Sequence, residues 1–225
     1  MTYVKICGCR TVAEALAARD AGADFIGLVF AESRRRVPVD VARLITEALR
    51  PDAATAPPAA NSGDGLAYLE RLLSTKRPLL VGVFEGQSTD EVESTAALTG
   101  IDVVQLHGGM ADGLSTRLPL IQAVDPEAQD VAVDRSKSTI CLLDGSRGHG
   151  RRGDWASLTS IASRAPFILA GGLTPENVVE AVRRLRPWGV DVSSGVETAG
   201  RKDAAKMCAF VVAAKGAISD DFPSR

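Results

Sequence analysis

Two cysteines stand two positions apart near the beginning of the chain, in the segment VKICGCR. In principle, Cys7 and Cys9 can form a disulfide, bind a metal, act as a redox pair or supply a reacting thiol. The strained ring of so short a loop opposes a disulfide, and redox pairs prefer the spacing C-x-x-C. Neither of the two histidines lies at zinc-finger spacing from a cysteine. This leaves a catalytic thiol or a buried apolar cysteine.

The neighbours of Cys7 favour a chemical role. If YVKIC is a β-strand, alternation places Lys5 and Cys7 on one face and Ile6 on the other. An ammonium group beside a thiol lowers the pKa of that thiol from its usual value of about 8.5 and makes it a better base. We therefore expect Lys5 and Cys7 to face a functional site. Cys9, on the loop beyond the strand, is interpreted as a buried apolar residue.

Two other apolar segments also end in polar side chains. Gln105 and His107 share a face at the end of DVVQLH, a pairing typical of ligand positioning, although a lone histidine is more often structural. Asp144 ends TICLLD, where Cys141 and Leu143 are predicted to face the opposite way. A carboxyl group in such apolar surroundings can stay partly protonated and act as an acid.

Weaker signals follow the second and sixth apolar segments. Three arginines at 34–36 can bind an anion through bidentate contacts, although a solvated basic turn has the same composition. The glycine- and arginine-rich run 145–153 is predicted to be a mobile loop over the site. His149 and Asp154 lie in or beside this run and are weak catalytic candidates.

Small residues follow the last two apolar segments. Gly171 and Gly172 follow the seventh segment, and Ser194 and Gly195 follow the eighth. Glycines also form ordinary tight turns, but backbone N–H groups at two such adjacent sites are typical of a phosphate cradle. We expect these four residues to bind a phosphate group.

The elements that must position these residues alternate along the chain. Eight short apolar strand candidates are separated by amphipathic helix candidates, several with a capping residue (Thr11, Ser88, Thr174). This alternation predicts a single α/β domain over 1–225, a (β/α)₈ TIM barrel with its site at the carboxyl ends of the strands. A doubly wound open sheet is the alternative, but no glycine-rich dinucleotide fingerprint follows the first strand.

One segment interrupts the alternation. Residues 51–65, between helix 2 and strand 3, are rich in proline and alanine and are predicted to form a disordered or mobile insertion. The segment LAYLERLLSTK after it is predicted to be helical. In a barrel, a loop from a helix to the next strand lies on the face opposite the active site. We therefore expect the insertion to be catalytically silent.

The overall composition excludes several classes of partner. The 225 residues include 26 basic and 28 acidic side chains, and the net charge of −2 indicates neither a nucleic-acid nor a membrane-surface partner. No signal peptide or membrane-spanning segment is evident, so a cytoplasmic location is expected.

The ordered motifs of the chain resemble those of the phosphoribosylanthranilate isomerase family of tryptophan biosynthesis. The resemblance runs from residue 3 to about 215 and rests on VKICG, GLVF with SRRRV, VGVF, VVQLHG, LLDG, AGGLTPENV, and DVSSGVE with GRKD. It implies a single-domain barrel that converts N-(5-phosphoribosyl)anthranilate to 1-(2-carboxyphenylamino)-1-deoxyribulose 5-phosphate by an Amadori rearrangement. The implied partner is this phosphorylated small molecule, with no metal or organic cofactor, and the chain is expected to be a monomer or homodimer.

The resemblance also implies a role for each candidate residue. Cys7 matches the base that removes the proton from C2 of the ribose, and Asp144 matches the acid that protonates the ring oxygen. Arg35 matches the arginine near the anthranilate carboxylate. The remaining substrate and phosphate positions are Gln105, His107 and Asp191, with Lys5 beside Cys7, and Gly171, Gly172, Ser194 and Gly195.

Two other functions stay open. A related barrel of histidine biosynthesis isomerises a similar aldosylamine with paired aspartates at the ends of its first and fifth strands. Here the first strand ends in Cys7, and only Asp125, near the end of the fifth, supports that alternative. A non-catalytic phosphate-binding barrel is the other alternative, and the presence of both Cys7 and Asp144 argues against it.

Overall fold

A closed barrel of eight parallel strands forms the centre of the molecule. The computed structural model describes residues 2–50, 65–108, 114, 116, 118–124, 139–144 and 165–217. Each strand pairs with its neighbours in chain order, and β8 pairs with β1, which confirms the predicted barrel and excludes the open sheet. The strands are β1 (Tyr3–Cys7), β2 (Phe25–Val29), β3 (Leu79–Glu85), β4 (Val103–His107), β5 (Leu120–Val124), β6 (Thr139–Asp144), β7 (Phe167–Ala170) and β8 (Gly189–Val192).

Helices surround this barrel. Those in the described ranges are α1 (Val12–Asp20), α2 (Val39–Leu49), α3 (Gly65–Thr75), α4 (Thr89–Thr99), α5 (Val178–Leu185) and α6 (Ala204–Gly216). After β8 the chain forms a 3₁₀ helix (Ser194–Val196) and a hairpin of β9 (Glu197–Thr198) and β10 (Arg201–Lys202). None of the helices described is long and apolar enough to cross a membrane.

Side chains cap two of the helices as the sequence predicts. The Thr11 hydroxyl accepts a hydrogen bond from the N–H of Glu14 at 3.1 Å, and Ser88 forms a reciprocal capping box with Glu91. The prediction for Thr174 is wrong, because α5 begins only at Val178. Thr174 instead opens a turn before the helix, and its carbonyl accepts the N–H of Val178 at 3.1 Å.

Alternation along the strands divides the apolar residues into two buried layers. Phe25, Val81 and Leu142 point into the barrel and belong to one cluster. Residues of the opposite parity, such as Leu28 and Leu143, pack against the helices in another. Burial on both faces is what a parallel sheet covered by helices requires. Near the carboxyl ends of β1, β4, β6 and β8, the inward positions become polar.

Helix α3 packs against the interior cluster from the amino-terminal end of the barrel. Its buried residues Tyr68, Leu69, Leu72 and Leu73 belong to the same cluster as the inward side chains of the strands. Trp188, just before β8, donates a hydrogen bond from Nε1 to Glu70 at 3.0 Å. Gly65, which was predicted to end the insertion, is instead the first residue of α3. The rest of the insertion, 51–64, lies outside the described residues.

Two buried aspartates fasten the same end of the barrel. Asp24 precedes β2, accepts the N–H of Val4 at 2.9 Å, and pairs with Arg77 and Lys215. Asp102 precedes β4 in the same way. It accepts the N–H of Leu80 at 2.8 Å and pairs with Arg50 and Lys76. Each carboxylate therefore joins two neighbouring strands and offsets its own burial with two cations.

Candidate active site

The carboxyl ends of the strands surround an open cavity of about 850 Å³. The ends of all eight strands line it, together with the loops after β2, β4, β7 and β8. It brings together ten of the eleven predicted site residues: Cys7, Arg35, Gln105, His107, Asp144, Gly171, Gly172, Asp191, Ser194 and Gly195. Lys5 is not on the surface of the cavity, because its side chain is 1% exposed and lies beneath it.

Lys5 is held by an ion pair under the cavity floor. Its Nζ lies 3.1 Å from Oδ1 of Asp191 on the neighbouring strand β8. Burial alone would lower the pKa of Lys5, but Asp191 and Cys7 together outweigh burial and raise it. The side chain therefore stays charged, and its positive charge lies directly below the thiol of Cys7.

A glycine on β2 makes room for the side chains of Lys5 and Cys7. A Cβ on Gly27 would lie 2.8 Å from Cys7 Sγ and 3.2 Å from Lys5 Nζ. Both atoms are therefore packed against the bare backbone of β2. The sequence gives no direct signal for this role, since Gly27 is simply one apolar position within DFIGLVF.

The thiol of Cys7 does not have the lowered pKa that the sequence predicts. Burial raises its pKa, and the opposing charge of Lys5 is not enough to reverse that effect. In the unliganded protein, Cys7 is therefore a thiol at neutral pH, with a cation in place to stabilise the thiolate when it forms. Cys9 is fully buried in the layer between sheet and helices, and burial raises its pKa to about 12, as expected for an inert residue.

Gln105 and His107 both face inward from β4 and contact each other. Nε2 of Gln105 lies 2.8 Å from Nε2 of His107. Burial, and next the charge of Lys5, lowers the pKa of His107, so the ring is neutral at neutral pH and can accept this hydrogen bond. Oε1 of Gln105 is buried without a hydrogen-bond partner among the described residues.

Asp144 ends β6 on the same rim as Cys7. Its inward neighbour two residues earlier, Leu142, belongs to the interior cluster, and Leu143 faces the helices, as the alternation predicts. Only β7 and β8 separate β6 from β1 around the shorter arc of the barrel. A carboxyl group and a thiol therefore face one cavity from nearby strand ends.

The loops after β7 and β8 lie against each other. Gly171 and Gly172 have φ angles of 95° and 63°, which favour glycine. A Cβ on Gly195 would lie 1.9 Å from the carbonyl oxygen of Leu173, so only glycine permits this close approach. The N–H groups of Ser194 and Gly195, at the start of the 3₁₀ helix, have no acceptor among the described residues.

Other residues hold these loops in place and were not predicted from the sequence. Asn177 donates to the carbonyl of Gly172 at 2.9 Å and accepts the N–H of Thr174 at 2.8 Å. The Ser193 hydroxyl donates to the carbonyl of Cys7 at 3.0 Å, and Lys202 donates to the carbonyl of Ser193 at 2.9 Å. Asn177 stands within the motif AGGLTPENV, but its contacts depend on the folded loop.

Arg34 and Arg35 of the 34–36 run both line the cavity, and Arg35 is the more buried of the two. Its Nε and Nη2 donate to the carboxylate of Glu197 at 2.6 and 3.1 Å. Arg36 instead pairs with the exposed Glu32. The sequence did not identify Glu197, which lies 162 positions from Arg35 along the chain.

The described residues offer no evident metal site, since they contain no group of three or more His, Cys, Asp or Glu side chains suited to a metal ion. The weaker sequence candidates cannot be placed: Asp125, His149, Asp154 and the loop 145–153 all lie outside the described residues. The described part of the rim therefore combines the carboxyl group of Asp144, the thiol of Cys7 above the buried ammonium group of Lys5, the guanidinium group of Arg35 and the glycine-lined loops after β7 and β8.

Comparison with known proteins identifies the family to which this chain belongs. The sequence model of the N-(5′-phosphoribosyl)anthranilate (PRA) isomerase family matches residues 66–213. The N-(5′-phosphoribosyl)anthranilate isomerase of Roseiflexus castenholzii is 42% identical over 227 residues, covering 95% of this chain and 98% of the relative.

Solved structures give the same result. Phosphoribosyl anthranilate isomerase from Thermotoga maritima is similar with a TM-score of 0.73 at 30% identity, covering 96% of this chain and 100% of that one. A phosphoribosyl anthranilate isomerase in complex with reduced 1-(o-carboxyphenylamino)-1-deoxyribulose 5-phosphate has a TM-score of 0.71 at 30% identity, with the same coverage. The chain belongs to the N-(5′-phosphoribosyl)anthranilate isomerase family.

Proposed function

We propose that the strand-end cavity catalyses the Amadori rearrangement of N-(5-phosphoribosyl)anthranilate, with Cys7 as base and Asp144 as acid. The observation that carries the proposal is the placement of this thiol and this carboxyl on one rim, beside glycine loops suited to a phosphate. Membership of the family makes the chain an isomerase of tryptophan biosynthesis. The residue roles are our assignment.

The reaction needs one proton delivered to the ring oxygen and one removed from C2, the two atoms bonded to C1 on either side. Asp144 protonates the ring oxygen, so the furanose opens and the C1–N bond becomes a protonated imine. Cys7, whose thiol proton has first passed to solvent, then takes the proton from C2 as a thiolate. The electron pair of that C–H bond forms the C1=C2 double bond while the π pair of the C=N bond returns to nitrogen, which gives an enamine. Tautomerisation with a proton returned to C1 yields the 2-ketose. No oxidant or net proton source is required.

Lys5 supports the base from below. When Cys7 loses its proton, the adjacent ammonium group stabilises the thiolate by direct hydrogen bonding and charge. Asp191 keeps that ammonium in place through their 3.1 Å contact. Lys5 therefore acts through Cys7 in this scheme, and Asp191 is the member of the pair that lines the cavity.

The ends of the substrate define the remaining roles. Gly171, Gly172, Ser194 and Gly195 bind the phosphate group through backbone N–H groups. The guanidinium of Arg35 binds the anthranilate carboxylate, and Gln105 and His107 contact the sugar between the two ends. A single domain, a cytoplasmic location and a monomeric or homodimeric state remain predictions.

The test is turnover of the purified chain with N-(5-phosphoribosyl)anthranilate, followed by the fluorescence of the anthranilate group or by chromatography of the product. Cys7→Ser and Asp144→Asn should each fold normally and lose about 10²- to 10⁴-fold in kcat, the usual contribution of a general acid or base. Normal turnover in either folded variant would remove that residue from the mechanism. Rescue of a tryptophan auxotroph lacking this isomerase tests the activity in cells.

A further inference from the structure

A carboxylate surrounded by cations lies beside the site and has no role in the proposed mechanism. The side chain of Glu197 is 6% exposed. Its oxygens contact Nε and Nη2 of Arg35 at 2.6 and 3.1 Å, Nζ of Lys202 at 3.2 Å and Nη2 of Arg34 at 3.2 Å. Burial opposes its charge, but Arg35 and Lys202 outweigh burial and lower its pKa to about 2. Glu197 therefore stays ionised across the working pH range.

The backbone that carries Glu197 is fixed on several sides. Glu197 and Lys202 are cross-strand partners in the β9–β10 hairpin. The two turn residues, Ala199 and Gly200, have φ angles of 49° and 75°, the combination that type I′ turns require. The N–H of Asp203 bonds to the carbonyl of Val196 at 2.9 Å, which ties the hairpin to the 3₁₀ helix. The carboxylate is thus presented from a rigid support.

The stem of Arg35 is fixed as well. A Cβ on Gly8 would lie 2.6 Å from Cδ of Arg35, so the arginine stem crosses directly over the residue that follows Cys7. Glu197 then occupies one edge of the guanidinium group, formed by Nε and Nη2. Nη1 has no hydrogen-bond partner in the described part of the chain, and Arg35 lines the cavity. The other edge of the guanidinium group, which carries Nη1, is therefore oriented and available to a ligand in the cavity.

We propose that Glu197 is a positioning residue that fixes the guanidinium of Arg35 and thereby sets the preference of the site for carboxylated substrates. This rests on the proposed function, in which Arg35 binds the anthranilate carboxylate. The three cations around Glu197 leave a net positive charge on the cluster, so the carboxylate does not cancel its attraction for an anion. What Glu197 supplies is a single orientation of a planar donor group, and bidentate recognition depends on that orientation.

The experiment measures how strongly the site prefers a carboxyl group. Two probes are titrated calorimetrically: reduced 1-(o-carboxyphenylamino)-1-deoxyribulose 5-phosphate, and its counterpart without the carboxyl group. The ratio of their Kd values is compared between the parent chain, Glu197→Gln and Glu197→Asp. Glu47→Gln is the matched control, because it makes the same chemical change in an exposed arginine pair on α2.

We expect the parent and Glu47→Gln to bind the carboxylated probe roughly 10- to 100-fold more tightly, as hydrogen bonds between charged groups allow. In Glu197→Gln this ratio should fall to about threefold or less, and Glu197→Asp should lie between. If Glu197→Gln does not fold, Glu197→Asp decides the question, and its ratio must fall at least about threefold below the parent ratio.

Three results would overturn the proposal, and they differ from one another. If both probes weaken equally in the Glu197 variants, the ratio stays unchanged and Glu197 only supports the fold. If the ratio rises, Glu197 competes with the substrate for Arg35. If the parent itself shows no preference, Arg35 does not bind the carboxylate and the inference fails with it. Turnover of the parent is measured separately, so absence of the isomerase activity would be recognised as a failure of the proposed function.

Discussion

At the scale of single residues, the two cysteines of the opening segment differ in what surrounds them. Cys7 Sγ faces the cavity above Lys5, whereas Cys9 is enclosed between sheet and helices. Cys7→Ser should reduce kcat by about 10²- to 10⁴-fold because a hydroxyl is a far weaker base near neutral pH. Cys9→Ser is the control and should keep turnover close to the parent value. Equal losses in both variants would show that the effect on kcat is structural.

The protonation of Cys7 gives a second prediction at this scale. Since burial raises the pKa of the Cys7 thiol, the thiolate fraction becomes substantial only at a higher pH than for an ordinary cysteine. Alkylation of Cys7 by iodoacetamide, followed by mass spectrometry, should therefore show a midpoint above the usual value of about 8.5. Lys5→Met should move that midpoint higher, because the nearby positive charge is lost. A parent midpoint below the usual value would mean that the charge of Lys5 outweighs burial, contrary to this prediction.

At the scale of secondary-structure elements, local sequence patterns predict what is determined locally. Alternation identifies the inward faces of β1, β4 and β6, and the caps at Thr11 and Ser88 need only residues three positions away. The Glu197–Arg35 pair and the buried Lys202 could not be predicted, because their contacts join segments that meet only when the barrel closes. The pKa direction of Cys7 was wrong for a related reason: the sequence reveals its charged neighbour but not the depth of its burial.

The contact between the loops after β7 and β8 supports a further prediction. Gly195→Ala would place its Cβ against the carbonyl oxygen of Leu173 and force the two loops apart. The substitution should therefore weaken anion binding by displacing the backbone of the two loops. The added methyl group would not itself occupy the space of the anion. Inorganic phosphate should inhibit the parent competitively and raise its Tm. In Gly195→Ala, both effects should need at least roughly tenfold more phosphate than in the parent. Cys7→Ser should retain both, and a Gly195→Ala protein with unchanged phosphate affinity would mean that the cradle lies elsewhere.

At the scale of the whole molecule, the residues that stabilise the fold and the residues proposed to carry the chemistry lie at opposite ends of the barrel. The carboxyl ends hold Cys7 and Asp144, and the amino ends hold the buried ion pairs of Asp24 and Asp102 and the covering helix α3. In such barrels, residues at the amino-terminal face serve stability. The insertion at 51–64 precedes α3 in the chain, so deleting residues 53–63 should leave turnover within about threefold of the parent. A larger loss of turnover in a deletion variant of unchanged stability would place the insertion near the site.

The same separation predicts opposite effects from two identical substitutions. Asp102→Asn removes a buried charge that meets Arg50, Lys76 and the N–H of Leu80, so the free energy of unfolding should fall by about 3 kcal/mol. Its kcat, measured well below the Tm, should stay within about twofold of the parent, because the cavity is lined by none of these four residues. Asp144→Asn should show the reverse, with kcat falling by about 10²- to 10⁴-fold and the free energy of unfolding changing by less than about 1 kcal/mol. Urea unfolding and turnover measured on both variants provide the comparison. If Asp102→Asn impairs turnover in the folded protein, the two ends are coupled, and the assignment of separate roles fails.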